Sequence, residues 1–149
     1  METTVMDVGI ARKNREGYAD PTMYEALKQV QKAEYGYRPL VYICSPYAGD
    51  TETNIEIARE FCATAVARRV IPLAPHLLFP QFMDDHDPVQ RQQALFMSRL
   101  LLTKCNEVWV FGETISQGMA SEIRKAESRN KTIRYFTKDC QEVQASCER

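Results

Sequence analysis

The chain has 149 residues and a mass of 17.1 kDa, which suits one globular domain. Lys and Arg number 19 against 20 Asp and Glu, and this balance excludes the basic field that holds a nucleic-acid polymer. No apolar run approaches the roughly 20 residues that span a membrane, and residues 1–20 offer no signal peptide, so we expect a cytoplasmic protein without membrane contact.

Residues 1–38 are predicted to form a polar arm followed by an amphipathic helix. Asp20 is a typical N-cap, and the proline after it is typical of a first helical position. Met23, Leu27 and Val30 then recur at helical spacing and form one apolar stripe. We expect this helix to cover a face of the main fold or of a neighbouring subunit.

Residues 39–137 alternate between short apolar runs and helical spacing, whereas residues 138–149 form a polar tail, either helical or frayed. Four runs predict buried strands, at residues 40–44, 70–74, 107–111 and 132–136. The segments between them predict helices at residues 54–69, 89–104 and 116–128. Residues 94–102 are apolar nearly all round, which predicts deep burial of that helix.

Strands separated by helices of this length predict parallel pairing with right-handed crossovers. We therefore expect a compact, doubly wound α/β domain of flavodoxin- or Rossmann-like type. Its sheet has four to five mainly parallel strands with helices on both faces, and the N-terminal helix is additional. Ligands of such folds bind outside the carboxyl ends of the strands. The candidate site therefore comprises the loops that start at Ser45, Pro75 and Gly112.

The third of these loops leads into a helix and carries the strongest candidate for chemistry. Ser116 can cap that helix, and Gly118 lets a ligand approach the backbone, so we assign Gly112, Ser116, Gly118 and Met119 to substrate binding. Glu122 lies on the next turn and can project toward the crevice. The helix N-terminus favours its ionised form, as a carboxylate nucleophile requires. The alternative is a solvated helix glutamate.

The first loop combines small residues, an aromatic ring and a carboxylate. We assign five of its residues to substrate binding: Ser45, Pro46, Tyr47, Gly49 and Asp50. Tyr47 suits stacking on a base or sugar, and Ser45 suits a phosphate or hydroxyl. An equally good interpretation is a tight turn in which Asp50 or Thr51 caps the following helix.

The second loop supplies His76, which can act as acid or base or simply hold the loop. Arg91, at the start of the following helix, faces either solvent or the anionic group of a ligand. The acidic cluster at residues 84–87 is too compact to converge on one ion, and no second cluster completes a shell. We therefore predict no metal site.

Other common motifs are missing from the sequence. The five cysteines form no CxxC pair, and neither a dinucleotide nor a triphosphate fingerprint occurs. Cys44 and Cys105 stand beside strand-like runs, which predicts buried, reduced thiols.

Several motifs occur in an order that resembles the nucleoside 2-deoxyribosyltransferase-like superfamily. VYICSPYAGD is similar to its first strand and loop, and CNEVWVFGETISQGMASEI to its strand, loop and nucleophile-bearing helix. IPLAPHLLFPQF, VQRQQALFM and EVWVFG resemble a bacterial and phage branch. The resemblance implies that Glu122 attacks the anomeric carbon of the sugar and that Tyr42 positions it. It further implies that Ser45, Pro46, Tyr47 and Gly49 face the sugar and phosphate.

Two positions depart from this superfamily. Ser116 and Asn106 stand where acidic residues are usual, which leaves His76, Asp84 or Asp85 to protonate the departing base. The resemblance implies an enzyme that cleaves or transfers the N-glycosidic bond of a nucleoside or nucleotide by double displacement, without a metal or redox cofactor. It also implies a homo-oligomer, a dimer or larger. The alternatives are a non-catalytic binder of a nucleotide or nucleotide-derived signal, or a subunit that has lost its ligand.

Overall fold

The computed structural model describes residues 11–144, and for Tyr35 the backbone only. The chain divides between Arg38 and Pro39 into two compact units. The first contains one helix, α1 (Pro21–Tyr35), and Asp20 caps it as predicted, because its Oδ1 accepts the Met23 N–H at 3.0 Å. The predicted stripe of Met23, Leu27 and Val30 is exposed.

The second unit is a doubly wound α/β fold, which confirms the predicted fold class. Its strands are β1 (Leu40–Cys44), β2 (Ile71–Leu73), β3 (Glu107–Phe111), β4 (Thr132–Phe136) and β5 (Glu142–Val143). Its helices are α2 (Thr51–Ala67), α3 (Pro75–Leu78), α4 (Pro88–Lys104) and α5 (Gln117–Ser128), with a 3-10 turn at Phe79–Gln81. The sheet order is β2-β1-β3-β4-β5; the first four strands are parallel and β5 is antiparallel.

The two faces of the sheet each carry a hydrophobic layer, as the alternation of side chains along a strand requires. Val41 and Ile43 point toward α2, where Phe61 and Ala65 are buried. Tyr42 and Cys44 point to the opposite face, among buried residues of α4 and α5. Cys44 and Cys105 are buried free thiols, as predicted. The helices therefore cover both faces, and β1 and β3 run through the centre.

Two local predictions are corrected at the edges of the sheet. The second strand is shorter than predicted, and its central residue, Pro72, has no N–H to donate to a further strand. The tail is neither helical nor frayed at β5, which pairs with β4. Glu142 explains this pairing, because the Arg134 guanidinium donates two hydrogen bonds to its carboxylate, at 2.8 and 2.6 Å.

The predicted deep burial of α4 is wrong for a single chain. Within residues 94–102 only Leu102 is buried, and the exposed fractions of Val89, Phe96 and Leu100 are 66%, 67% and 49%. Helix α4 contacts β1 and α5, so one side of it reaches the core and its outer side stays open. Apolar composition alone does not distinguish a helix face buried in its own domain from one that remains uncovered. Among residues 11–144, no helix combines the length and apolar character needed to cross a bilayer.

Candidate active site

The strand order places a crevice at the carboxyl ends of β1 and β3. Chain connections from these neighbouring strands run in opposite directions across the sheet, and such a switch point separates the loops that follow them. A cavity of about 430 Å³ lies here, a volume typical of small-molecule sites. Its walls come from the loops after β1, β2 and β3 and from one face of α4. All three loops predicted from the sequence therefore contribute to one cavity.

Glu122 lines this cavity, and its carboxyl group is hydrogen-bonded to Tyr42. The Tyr42 hydroxyl, on the fully buried side chain of a central strand, donates a hydrogen bond of 2.7 Å to Glu122 Oε1. The other oxygen, Oε2, is covered and has no hydrogen-bond partner among the described residues. A buried acceptor without a partner is costly, so Oε2 is an unsatisfied hydrogen-bond acceptor at this site. The structure thus brings the two residues into the contact that the resemblance implies.

Burial governs the charge of Glu122. Loss of water raises the pKa of its carboxyl group above the usual 4.5, whereas the neighbouring Cys44 thiol, the Tyr42 hydrogen bond and the nearby Arg99 charge oppose that rise. Burial therefore acts against the ionised form, which the helix N-terminus is expected to favour. Burial, with the Glu122 charge, also raises the pKa of Tyr42 well above its usual value, so the phenol stays a proton donor.

Ser45 directly follows β1 and lines the cavity. Its side chain is 2% exposed, and its hydroxyl has no partner among the described residues. The preceding residue, Cys44, contacts the Met119 carbonyl through its thiol at 3.9 Å, which ties the end of β1 to the first turn of α5. On α5, Ser116 is the predicted N-cap and accepts the Met119 N–H at 3.2 Å. Ser45, Ser116, Gly118 and Met119 all line the cavity.

Tyr47 and His76 form an aromatic wall of the cavity. Their rings stack with centroids 4.7 Å apart and planes 8° from parallel. Burial lowers the pKa of His76, although a hydrogen bond to the Ser45 backbone and the charge of Asp85 act in the opposite direction. The imidazole is therefore neutral at pH 7, and it supports the Tyr47 ring.

Helix α4 supplies the facing wall. Arg91 lines the cavity, together with residues that follow at helical spacing: Ala94, Leu95, Ser98 and Arg99. Ser98 and Arg99 were not predicted from the sequence. They lie four residues after Ala94 and Leu95, which in turn lie three and four residues after Arg91, and this spacing is the signal that would have found them. The wall joins an apolar centre to two guanidinium groups.

Four of the predicted binding residues do not line the cavity: Pro46, Gly49, Asp50 and Gly112. Asp50 is the N-cap of α2 and accepts hydrogen bonds from the Thr53 N–H at 3.2 Å and its hydroxyl at 2.7 Å, so the turn interpretation fits it. Gly49 and Gly112 both have φ of 97°, a backbone conformation that favours glycine, and they shape their loops. In residues 11–144, no group of three or more metal-ligating side chains converges.

The fold is a doubly wound α/β domain with a cavity of small-molecule size at the switch point of its sheet. Residues 39–136 match the model of a domain of unknown function, DUF7768, and the chain belongs to that family. No curated protein matches the sequence.

The structure is similar to that of a 2-deoxyribosyltransferase from the psychrotolerant bacterium Bacillus psychrosaccharolyticus. The TM-score is 0.52 at 12% sequence identity, and the match covers 66% of this chain and 72% of the other. At that identity the likeness shows a shared fold, and activity has to be argued from the site.

Proposed function

We propose that this protein cleaves or transfers the N-glycosidic bond of a nucleoside or nucleotide, with Glu122 as the nucleophile. The observation that carries the proposal is the Glu122 carboxyl group, which is fixed by Tyr42 through one oxygen and lines a cavity of about 430 Å³. The shared fold with a 2-deoxyribosyltransferase and the order of the sequence motifs support the same chemistry. We assign the reaction to residues 39–137, with residues 1–38 and 138–149 as flanking segments.

The proposed mechanism is a double displacement. A Glu122 carboxylate oxygen forms a bond to C1′ of the sugar while the C1′–N bond breaks. The electron pair of the broken bond goes to the base nitrogen, which takes up a proton. Water or a second base then attacks C1′, and Glu122 leaves as a carboxylate. These steps require no metal ion and no redox cofactor.

The chain's own groups suit the parts of such a substrate. The face of Tyr47 that is not stacked on His76 can receive a nucleobase, and the Ser45 hydroxyl can bind a sugar hydroxyl. Gly118 lets the sugar approach the first turn of α5. Arg91 and Arg99 on α4 offer positive charge to an anionic substituent such as a phosphate.

The test is release of free base from 2′-deoxynucleosides and their 5′-monophosphates, followed by chromatography. Glu122→Ala should lower the rate by roughly three orders of magnitude or more, because the attacking atom is lost. Glu127→Gln, a change to an exposed glutamate of the same helix, is the matched control and should retain the wild-type rate. A Glu122→Ala variant with undiminished base release would refute the nucleophile.

One observation favours non-catalytic binding as a second candidate. Ser116 and Asn106 stand where the nucleoside 2-deoxyribosyltransferase-like superfamily usually has acidic residues. In this chain both stabilise local structure: Ser116 caps α5, and the Asn106 side chain accepts the Leu40 N–H at 2.9 Å. In a binder, Glu122 would accept a hydrogen bond from a sugar hydroxyl. Thermal stabilisation by a nucleotide, with no product after long incubation, would select this candidate over the enzyme.

We also propose that the protein is a homo-oligomer, a dimer or larger. The outer side of α4 exposes Val89, Phe96 and Leu100 along one line, and α1 separately exposes its own stripe. Uncovered apolar faces of this kind favour association.

A further inference from the structure

The proposed function leaves open which group protonates the departing base. Three carboxyl groups line the cavity, those of Asp84, Asp85 and Glu122, and His76 adds the one imidazole among the lining residues. Because Glu122 is the proposed nucleophile, the acid has to come from the other three. Their hydrogen bonds distinguish them.

His76 is unsuited to donate this proton. Its imidazole is largely buried, stacked on Tyr47 and hydrogen-bonded to the Ser45 backbone. Its ring is thus already engaged by a second ring and by the backbone that follows β1. It acts instead as a positioning residue that holds the Tyr47 ring.

The acidic loop between the 3-10 turn and α4 contains three aspartates, and two of them make hydrogen bonds that stabilise the loop and the start of α4. Asp84 Oδ1 accepts the His86 N–H at 2.9 Å and closes the turn. Asp87 caps α4 through the Val89 N–H at 2.9 Å and accepts a hydrogen bond from Gln90 at 3.1 Å. The Asp85 side chain makes no hydrogen bond or ion pair with any described residue.

Asp85 lines the same cavity as the aromatic wall of Tyr47 and His76. Burial raises the pKa of Tyr47 and lowers that of His76, and the Asp85 charge acts on both groups, in keeping with this shared lining. A base stacked on the open face of Tyr47 would thus lie next to an uncommitted carboxyl group.

On these contacts, and resting on the proposed function, we propose that Asp85 is the general acid that protonates the departing nucleobase. As the C1′–N bond breaks and a Glu122 oxygen bonds to C1′, the Asp85 O–H proton moves to the base nitrogen, which receives the electron pair of the broken bond. Asp85 is left as a carboxylate. It regains a proton from the water or acceptor base that attacks C1′ in the second displacement.

The experiment compares two leaving groups in the full-length chain. One substrate is a 2′-deoxynucleoside, whose base needs a proton; the other is 4-nitrophenyl 2-deoxyriboside, whose phenolate leaves without one. Asp85→Asn should slow the nucleoside reaction by about 100-fold or more, as loss of a general acid does, and leave the aryl substrate within about threefold. Asp87→Asn is the matched control: it makes the same change in the same loop, and asparagine also caps helices. It should leave both rates unchanged.

Chemical rescue separates the acid role from a structural one. Added formate, a small external acid, should restore part of the nucleoside reaction to Asp85→Ala, and it should do nothing for Glu122→Gln. Asp85→Asn with full nucleoside activity, or with equal loss on both substrates and no rescue, would overturn the assignment. If wild type cleaves the aryl substrate and not the nucleoside, the acid is wrong and the nucleophile stands. If wild type cleaves neither substrate, the proposed function itself fails, and the acid with it.

Discussion

Replacing Tyr42 with phenylalanine tests how the site holds its carboxyl group. The change removes one hydroxyl from a fully buried side chain and leaves the ring that packs between β1 and the helices. What disappears is the 2.7 Å hydrogen bond to Glu122 Oε1. Since Oε2 already lacks a partner among the described residues, the variant carboxyl group would have little left to orient it.

The size of the effect follows from the type of bond. A hydrogen bond to a charged group contributes about 1.5–3 kcal/mol, and about 1.4 kcal/mol corresponds to a factor of ten. Converted in this way, the bond energy predicts that kcat/KM for base release falls roughly 10- to 100-fold in Tyr42→Phe. The acidic limb of the pH profile should also move to higher pH. The lost bond lowers the pKa of Glu122 in the wild type, and the proposed nucleophile must be ionised to attack.

The assay is steady-state release of base across the pH range, with Tyr135→Phe as the matched control. Tyr135 lies on β4, does not line the cavity and undergoes the same loss of a hydroxyl, so its profile should match that of wild type. A Tyr42→Phe enzyme with an unchanged rate, or with an acidic limb shifted to lower pH, would refute the positioning role.

Two further outcomes are expected. Because the pKa of Glu122 is raised in the folded chain, ionisation of this group lowers the free energy of unfolding as the pH rises above its usual 4.5. Glu122→Gln should therefore unfold at a higher temperature than wild type at pH 7, with the difference vanishing below pH 4.5; a less stable variant at pH 7 would contradict this. Phe96→Glu, on the exposed side of α4, should reduce the mass seen by light scattering to that of a monomer, whereas Val66→Glu, on an exposed position of α2, should not. A wild-type monomer at micromolar concentration would contradict the proposed oligomer.

The parts of the fold governed by local sequence could be predicted. Apolar runs and helical spacing identified β1, β3, β4 and α5, and the caps at Asp20 and Ser116 are where side-chain chemistry placed them. The exposed side of α4 could not be predicted, because apolar composition does not specify which surface covers a helix.

The electrostatics of the site also could not be predicted from local sequence patterns. Tyr42 and Glu122 are far apart in the chain, and their contact exists only because α5 packs on the face of β1 that Tyr42 occupies. Burial of Glu122, and with it the direction of its pKa shift, follows from that packing. Arg99 likewise lines the cavity only because α4 packs against the domain in this position.

The hydrogen bond between Tyr42 and Glu122 anchors one end of the cavity to a central strand, whereas the facing wall belongs to a helix surface and to loops. Substitutions at Arg91, Leu95 or Ser98 would alter the shape and charge offered to a ligand and leave the carboxyl group in place. Redesign of ligand preference in this scaffold would accordingly begin on that wall, with the strand left untouched.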